Sequence, residues 1–275
     1  MPSQRVYPQL TLCEYVSAYI LSDYGVDGFV DDTACIYPEG SAILCFSLDN
    51  PFIFKEISSG CIIKLTKFNF IPQFKQPRFY QVIACPTKVL HVIFKPYGAY
   101  KLLGIPQNTS FDEHGTSLFD MLADKIKPLL NQIEDAAYNT SHIIQLVNKW
   151  LENQLVKNEK IDVSRVSHAC MLIATSQGNI PIKQLTQNMH ISKRALEYQF
   201  QEQVGLSPKL YSRITRFSFL FTAIKNNKAI DWQELSFRHN FFDQAHFINE
   251  FKYFSGNSPT RLSEINPILT TDSGL

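Results

Sequence analysis

Along the first hundred residues the apolar positions come in short runs of branched and aromatic side chains. Ala42-Ile43-Leu44-Cys45-Phe46-Ser47-Leu48, Cys61-Ile62-Ile63-Lys64-Leu65 and Leu90-His91-Val92-Ile93-Phe94 have the length and composition of strands. Turn formers bound them at Pro38-Glu39-Gly40, Asp49-Asn50-Pro51, Ser58-Ser59-Gly60 and Pro96-Tyr97-Gly98. Short strands at this spacing predict a sandwich or barrel. One early stretch breaks the pattern: Leu12, Tyr15, Val16 and Tyr19 recur at helical intervals and predict a helix over Leu10 to Ile20.

From about Ser117 the period lengthens to that of a helix. Ser141 is placed to cap a helix with Ile143, Ile144, Val147, Trp150, Leu151 and Leu155 on one side and Gln145, Asn148, Lys149 and Glu152 on the other. Its apolar side suits either dimerisation or the covering of a barrel. A further helix is predicted from about Val163 to Thr175, stopped near Gly178 and Pro181. The chain then reads as helical to about Ile265, before a loose tail with Pro267 and Gly274. The expected division is a front domain over 1–115, a helical linker or dimerisation region over 116–172, a helical domain over 173–265, and the tail over 266–275.

The helical domain contains a repeat. Phe200-x4-Gly205-x-Ser207-Pro208 returns as Phe251-x4-Gly256-x-Ser258-Pro259, at an offset of 51 residues. Leu196 and Phe247 match at that offset, as do Ser192 and Asp243. Upstream, Ile182-x-x-Leu185 answers Trp232-x-x-Leu235, with one residue gained between the halves. Each copy reads as a short helix, a turn (Met189-His190-Ile191 or His239-Asn240-Phe241), and a second helix begun by a capping residue, Ser192 or Asp243. Leu196 and Phe200, or Phe247 and Phe251, then face inward at i, i+4. Helix, tight turn, helix is the helix-turn-helix pattern, whose second helix enters a DNA major groove.

Charge sharpens this. The formal net charge is only +1, so the whole chain is not drawn to nucleic acid by its overall balance. Yet Val204 to Ile230 holds five basic residues (Lys209, Arg213, Arg216, Lys225, Lys228) and no acidic one. Lys209, Arg213 and Arg216 fall on one helical face, where they can neutralise phosphates; the alternative is an ordinary solvated surface.

The segment from about Ile180 to Leu262 resembles the DNA-binding domain of AraC-type (AraC/XylS family) transcription regulators. The resemblance rests on Asp231-Trp232-x-x-Leu235, Phe242-Asp243-Gln244-Ala245-His246-Phe247, Glu250-Phe251 and Gly256-x-Ser258-Pro259-Thr260. In the first copy it rests on Ile191-Ser192-x-Arg194-x-Leu196-Glu197, Phe200, Gly205-Leu206-Ser207-Pro208 and Arg213-Ile214-x-Arg216-Phe217. It implies that a helix from about Pro208 to Lys225 bridges two units set about one DNA turn apart. Tyr37-Pro38-Glu39-Gly40, Asn50-Pro51-Phe52 and Phe94-Lys95-Pro96-Tyr97-Gly98-Ala99-x3-Leu103-Gly104-Ile105-Pro106 resemble the effector-type domain of a subgroup, which implies a cupin-like β-barrel at the front. The expected fold is thus α+β: a cupin-like barrel with flanking helices, then an all-α domain with two helix-turn-helix motifs. Two positions depart from the family, which often has Arg where Tyr198 and Asn249 stand; its usual Gly in the second turn is Asn240.

On this reading the residues facing bases are Lys193, Arg194, Glu197 and Tyr198 in the first recognition helix, and Gln244, Ala245, His246 and Asn249 in the second. Arg pairs with guanine, Gln or Asn with adenine, Glu with cytosine, and Ala with a thymine methyl. Phosphate contacts fall to Lys209, Arg213, Arg216, Lys252 and Arg261. Double-stranded DNA is the expected partner. A small-molecule effector in the front domain, RNA polymerase and a second copy of the chain are further candidates. The alternative is an effector-binding or protein-interaction module with weakened DNA binding, given Tyr198 and Asn249.

Composition removes other classes. Cys13, Cys35, Cys45, Cys61, Cys85 and Cys170 form no C-x-x-C pair and read as reduced thiols. His91 and His114 are the only histidines before Ser117, too few for a cupin metal site. No G-x-S-x-G, H-E-x-x-H or P-loop occurs, so neither an enzyme nor a cofactor is expected. Phe52, Phe54, Phe68, Phe70, Phe74, Phe79 and Tyr80 could line a ligand pocket or fill a core. No apolar run reaches membrane-spanning length, and the first residues lack a signal-peptide core, so a cytoplasmic protein with no membrane contact is expected.

Overall fold

The computed structural model describes residues 3–25, 33–136, 139–226, 232–238, 241, 243–259 and 267–269. They fall into two compact units: residues 1–34, 41–72 and 79–162, and residues 35–40, 73–78 and 163–275.

The first unit is built from strands β1 (Ser3–Val6), β2 (Val16–Asp23), β3 (Thr33–Ile36, whose last two residues belong to the second unit), β4 (Ile43–Ser47), β5 (Ile53–Glu56), β6 (Ile62–Lys64), β7 (Phe68–Ile71), β8 (Arg78–Ala84) and β9 (Lys88–Phe94). Helix α1 (Gly98–Leu103), a short strand β10 (Thr116–Ser117) and helices α2 (Leu118–Leu122), α3 (Lys127–Asp135) and α4 (Thr140–Lys157) follow. One sheet has the order β1-β2-β9-β4-β7-β10; in the other, β5 lies between β6 and β8. The three strand runs read from the sequence are β4, β6 and β9, and the Ser58-Ser59-Gly60 turn closes the β5–β6 hairpin.

A closed barrel, however, does not form: the strands make two separate sheets, the first ending at β1 and β10. The physical reason lies at the sheet edge. There β10 spans only Thr116–Ser117 before the chain turns into α2. A two-residue edge strand offers too few N–H and C=O groups to carry the ladder on to another sheet.

The expected helix over Leu10 to Ile20 is also corrected. Gln9–Tyr15 forms only tight turns, with the Leu12 N–H donating to the Gln9 carbonyl and the Val16 N–H to that of Leu12. From Val16 the chain is strand β2. Its register against β9 shifts between Val16 and Ala18, so Val16 sits opposite Phe94 and Tyr19 opposite Val92. That bulge returns Val16 and Tyr19 to the same face, which imitates a helical interval.

One face of the first sheet carries Leu44, Phe46, Phe70, Leu90, Val92 and Phe94 into a core completed by Leu102, Leu118, Ile126, Leu129, Ile143, Val147 and Leu151. Helix α4 thus covers the sheet with the apolar side read from the sequence. Its cap lies two residues before the expected one: the Asn139 side chain, not that of Ser141, accepts the N–H of His142 at 3.1 Å. At its far end the buried Lys101 ammonium donates to the carbonyls of Asn158, Glu159 and Ile161 at 3.1, 3.1 and 2.6 Å. A cation placed there neutralises the unpaired carbonyls of a helix end. Of the aromatics considered for a pocket, Phe52 and Phe54 stack at 5.1 Å, Tyr80 lies 5.1 Å from Phe54, and Phe70 packs on Phe111 at 4.9 Å, all as core.

The second unit is helical: α5 (Ser164–Thr175), α6 (Ile182–Asn188), α7 (Lys193–Val204), α8 (Pro208–Asn226), α9 (Trp232–Arg238) and α10 (Gln244–Ser255). In the expected tail, β11 (Pro267–Leu269) pairs in parallel with Cys35 and Ile36. Among the described residues no helix is long and apolar enough to cross a membrane, and no three His, Cys, Asp or Glu side chains gather as a metal site.

Candidate nucleic-acid interface

The sequence repeat folds as two copies of one unit. In the first, α6 and α7 are joined by a turn in which His190 adopts φ 52°, the left-handed region that closes a tight turn. The Ser192 Oγ accepts the N–H of Ala195 at 3.2 Å and so begins α7. Leu185, Leu196 and Phe200 are buried. In the second, the Phe241 N–H donates to the Ser236 carbonyl, and the Asp243 carboxylate accepts the N–H of His246 at 2.7 Å to begin α10. Leu235, Phe247 and Phe251 are buried in the matching places. His239, Asn240 and Phe242 of the expected second turn lie outside the described residues, as does Asp231.

Each second helix ends at the repeated glycine. Gly205 and Gly256 take φ 82° and 74° as left-handed C-caps, a conformation that strains any residue with a Cβ. After Gly205 the chain turns at once into α8, whose first turn is capped when the Ser207 Oγ accepts the N–H of Leu210 at 3.2 Å.

Helix α8 joins the two copies. Tyr211 near its start lies 6.1 Å from the Phe200 ring of α7. Phe217, further along, packs against Phe251 and Phe254 of α10 at 5.6 and 5.4 Å. One helix therefore carries both α7 and α10 on a single apolar spine. Among the described residues the helices of both copies are present, with the turn of the first.

The polar positions read as base-facing lie on the outer sides of these helices. Lys193, Arg194, Glu197 and Tyr198 are exposed on α7, with Tyr198 at 65%. Lys193 and Glu197 form an i, i+4 pair at 3.7 Å, open to solvent and therefore weak. Gln244, Ala245, His246 and Asn249 are exposed on α10, and the His246 ring meets the edge of Phe241 at 5.4 Å.

The expected phosphate contacts separate into different environments. Lys209 and Lys252 are exposed, whereas Arg213 and Arg216 are partly buried. Arg261 and Lys228 lie outside the described residues. The Arg213 guanidinium donates from Nε and Nη2 to the two carboxylate oxygens of Glu250, at 2.9 and 2.7 Å. These bonds, working against partial burial, raise its pKa further above the usual arginine range. Arg216 stands over the Phe241 ring at 5.4 Å, and its Nε has no hydrogen-bond partner. Burial lowers its pKa, though an arginine remains charged throughout the accessible pH range.

Arg213 and Arg216, with Asn179, Ile182, Lys209 and His246, line an open groove of about 650 Å³ whose one acidic wall residue is Glu250. The sequence did not disclose this groove, nor the partner of Arg213. A signal for that partner existed: Glu250 is the single acidic residue among the twelve of α10, opposite a helix with no acid at all.

No protein-family model and no curated protein sequence matches the chain. Among solved structures it is similar to ToxT from Vibrio cholerae, at 9% identity over 88% of this chain and 97% of that one, with a TM-score of 0.47. It is likewise similar to ToxT from Vibrio cholerae with a bound unsaturated fatty acid, at 12% identity over 88% and 94% of the two chains, with a TM-score of 0.45.

Proposed function

We propose that this protein is a sequence-specific DNA-binding transcription regulator of the AraC type, with α7 and α10 as its recognition helices. The observation that carries the reading is the pair of capped helices held on α8, each presenting a polar outer face while its inner face is locked into one core. A helical bundle with no DNA partner has no need to repeat cap, inward aromatic and terminal glycine at one offset. Lys193, Arg194, Glu197 and Tyr198 on α7, and Gln244, Ala245, His246 and Asn249 on α10, are the base-reading set. Lys209, Arg216 and Lys252, with Arg261 beyond the described residues, supply phosphate contacts. The front unit is the place for any effector, and the cytoplasm is the place of action. RNA polymerase and a second copy of the chain are the protein partners such a regulator would meet.

The test is binding to duplexes enriched from a random pool, compared with random duplex over a range of salt. The expected result is preference for the enriched sequence, with affinity for both falling steeply as salt rises. Gln244→Ala should lose ~1–3 kcal/mol on the enriched duplex and much less on random DNA. Salt-sensitive binding without any preference would favour a DNA-associated interaction module, a reading to which the exposed Tyr198 and Asn249 lend themselves. Absence of binding at low salt would overturn both.

A further inference from the structure

Arg213 was expected among the phosphate ligands, and its surroundings argue for a different task. Its two charge-assisted bonds to Glu250 form a fork on a fork, the strongest geometry open to an arginine and a carboxylate. The same guanidinium lies 4.7 Å from the centre of the Tyr253 ring and 5.1 Å from that of Phe254. Glu250, Tyr253 and Phe254 stand at i, i+3 and i+4, so α8 grips a single face of α10 at three points. The side chains of Arg213 and Glu250 are 27% and 19% exposed. A phosphate reaching Arg213 would have to displace Glu250 and would then sit beside its negative charge.

Arg216, three residues on along α8, is the contrasting case. It pairs with no carboxylate among the described residues, and its Nε is unsatisfied. Lys209 opens to solvent at the other end of the same groove.

We propose that Arg213 is a positioning residue that fixes the rotation of the second recognition helix through Glu250, and that phosphate contact in the groove belongs to Lys209 and Arg216. The proposal rests on the DNA-binding reading above and divides its residues differently from charge alone. Rotation matters because a base-facing atom lies about 5–6 Å from the helix axis. A turn of some 20° about that axis then moves it by about 2 Å, enough to break a bidentate contact.

The experiment measures affinity for enriched and for random duplex across salt, with the full chain and the variants Arg213→Gln, Glu250→Gln, Arg216→Gln and the charge-swapped double variant R213E/E250R. Arg213→Gln should lower the ratio of specific to random affinity tenfold or more while leaving the salt slope unchanged. Glu250→Gln should give the same loss of preference, although it makes the protein more positive. Arg216→Gln should weaken both duplexes alike and reduce the slope by about 0.9. The swapped pair should recover part of the lost preference, a recovery that simple loss of a cation does not allow. The proposal is overturned if Arg213→Gln reduces the slope as Arg216→Gln does, or if Glu250→Gln tightens binding to random DNA by freeing a phosphate ligand. Should Arg213→Gln fail to fold, Glu250→Gln and the swapped pair decide the matter by the same criteria. If the unaltered protein shows no salt-dependent binding, the DNA reading falls and this one with it; variants that misbehave on a protein that does bind sink this one alone.

Discussion

His91 shows most plainly how a single residue can be both a sequence puzzle and a source of measurable behaviour. It interrupts an apolar run on β9, with Cys45 and Ile20 as its cross-strand neighbours, and is fully buried with Nδ1 unpaired. Burial alone pushes its pKa from 6.5 down to about 4, so the folded protein keeps it neutral. Above pH 6.5 folded and unfolded chains hold it in the same neutral state. As pH falls below 6.5 the unfolded chain takes up a proton that the folded one refuses until about 4. Stability is therefore present above 6.5 and lost on the way down to 4, by up to about 3 kcal/mol. His91→Leu should flatten this part of the curve: denaturant titrations at pH 7 and 4.5 should show the unaltered protein losing about 2–3 kcal/mol more than the variant. Equal acid sensitivity in both would remove His91 as the cause. At the same scale, the sequence could name the exposed polar positions of α7 and α10, proposed above to face bases, because exposure follows from helical period alone. It could not name Glu250 as the partner of Arg213, because the two are 37 residues apart and meet only when α8 crosses α10.

Elements were legible where packing imposes a repeating demand. The second helix of each copy must begin at a cap, bury an aromatic about two turns on, and end where the chain reverses. That is why Ser192 and Asp243, Phe200 and Phe251, and Gly205 and Gly256 recur at one offset. The first unit has no such repetition, and there local pattern misled. The β2 bulge places Val16 and Tyr19 on one face and so imitates a helix. Asn139, Thr140 and Ser141 can each cap a helix, and only the folded backbone selects Asn139. The first sheet likewise ends on the two-residue β10, whose shortness no apolar run in the sequence signals. The cap itself is open to test. Asp243→Ala should cost about 1 kcal/mol in a denaturant titration, and Asp243→Asn should restore most of it. An Asp243→Asn variant with full stability but altered base preference would instead make Asp243 a reader of bases.

For the whole molecule, a net charge of +1 is compatible with DNA binding because the cations that matter are local. Helix α8 carries its basic residues with no acidic one among them, and the groove beside it presents Lys209 and Arg216. Affinity should therefore track ionic strength more steeply than overall charge suggests. On the proposed reading, α7 and α10, carried on one helix, read two neighbouring stretches of major groove. Hydroxyl-radical footprinting on an enriched duplex tests it most directly, repeated with Arg194→Ala in α7 and Gln244→Ala in α10. The expected result is two protected segments about one helical turn, roughly 10 base pairs, apart. Each variant should weaken protection at a different one of the two. A single protected segment, or two that respond alike to both variants, would contradict it.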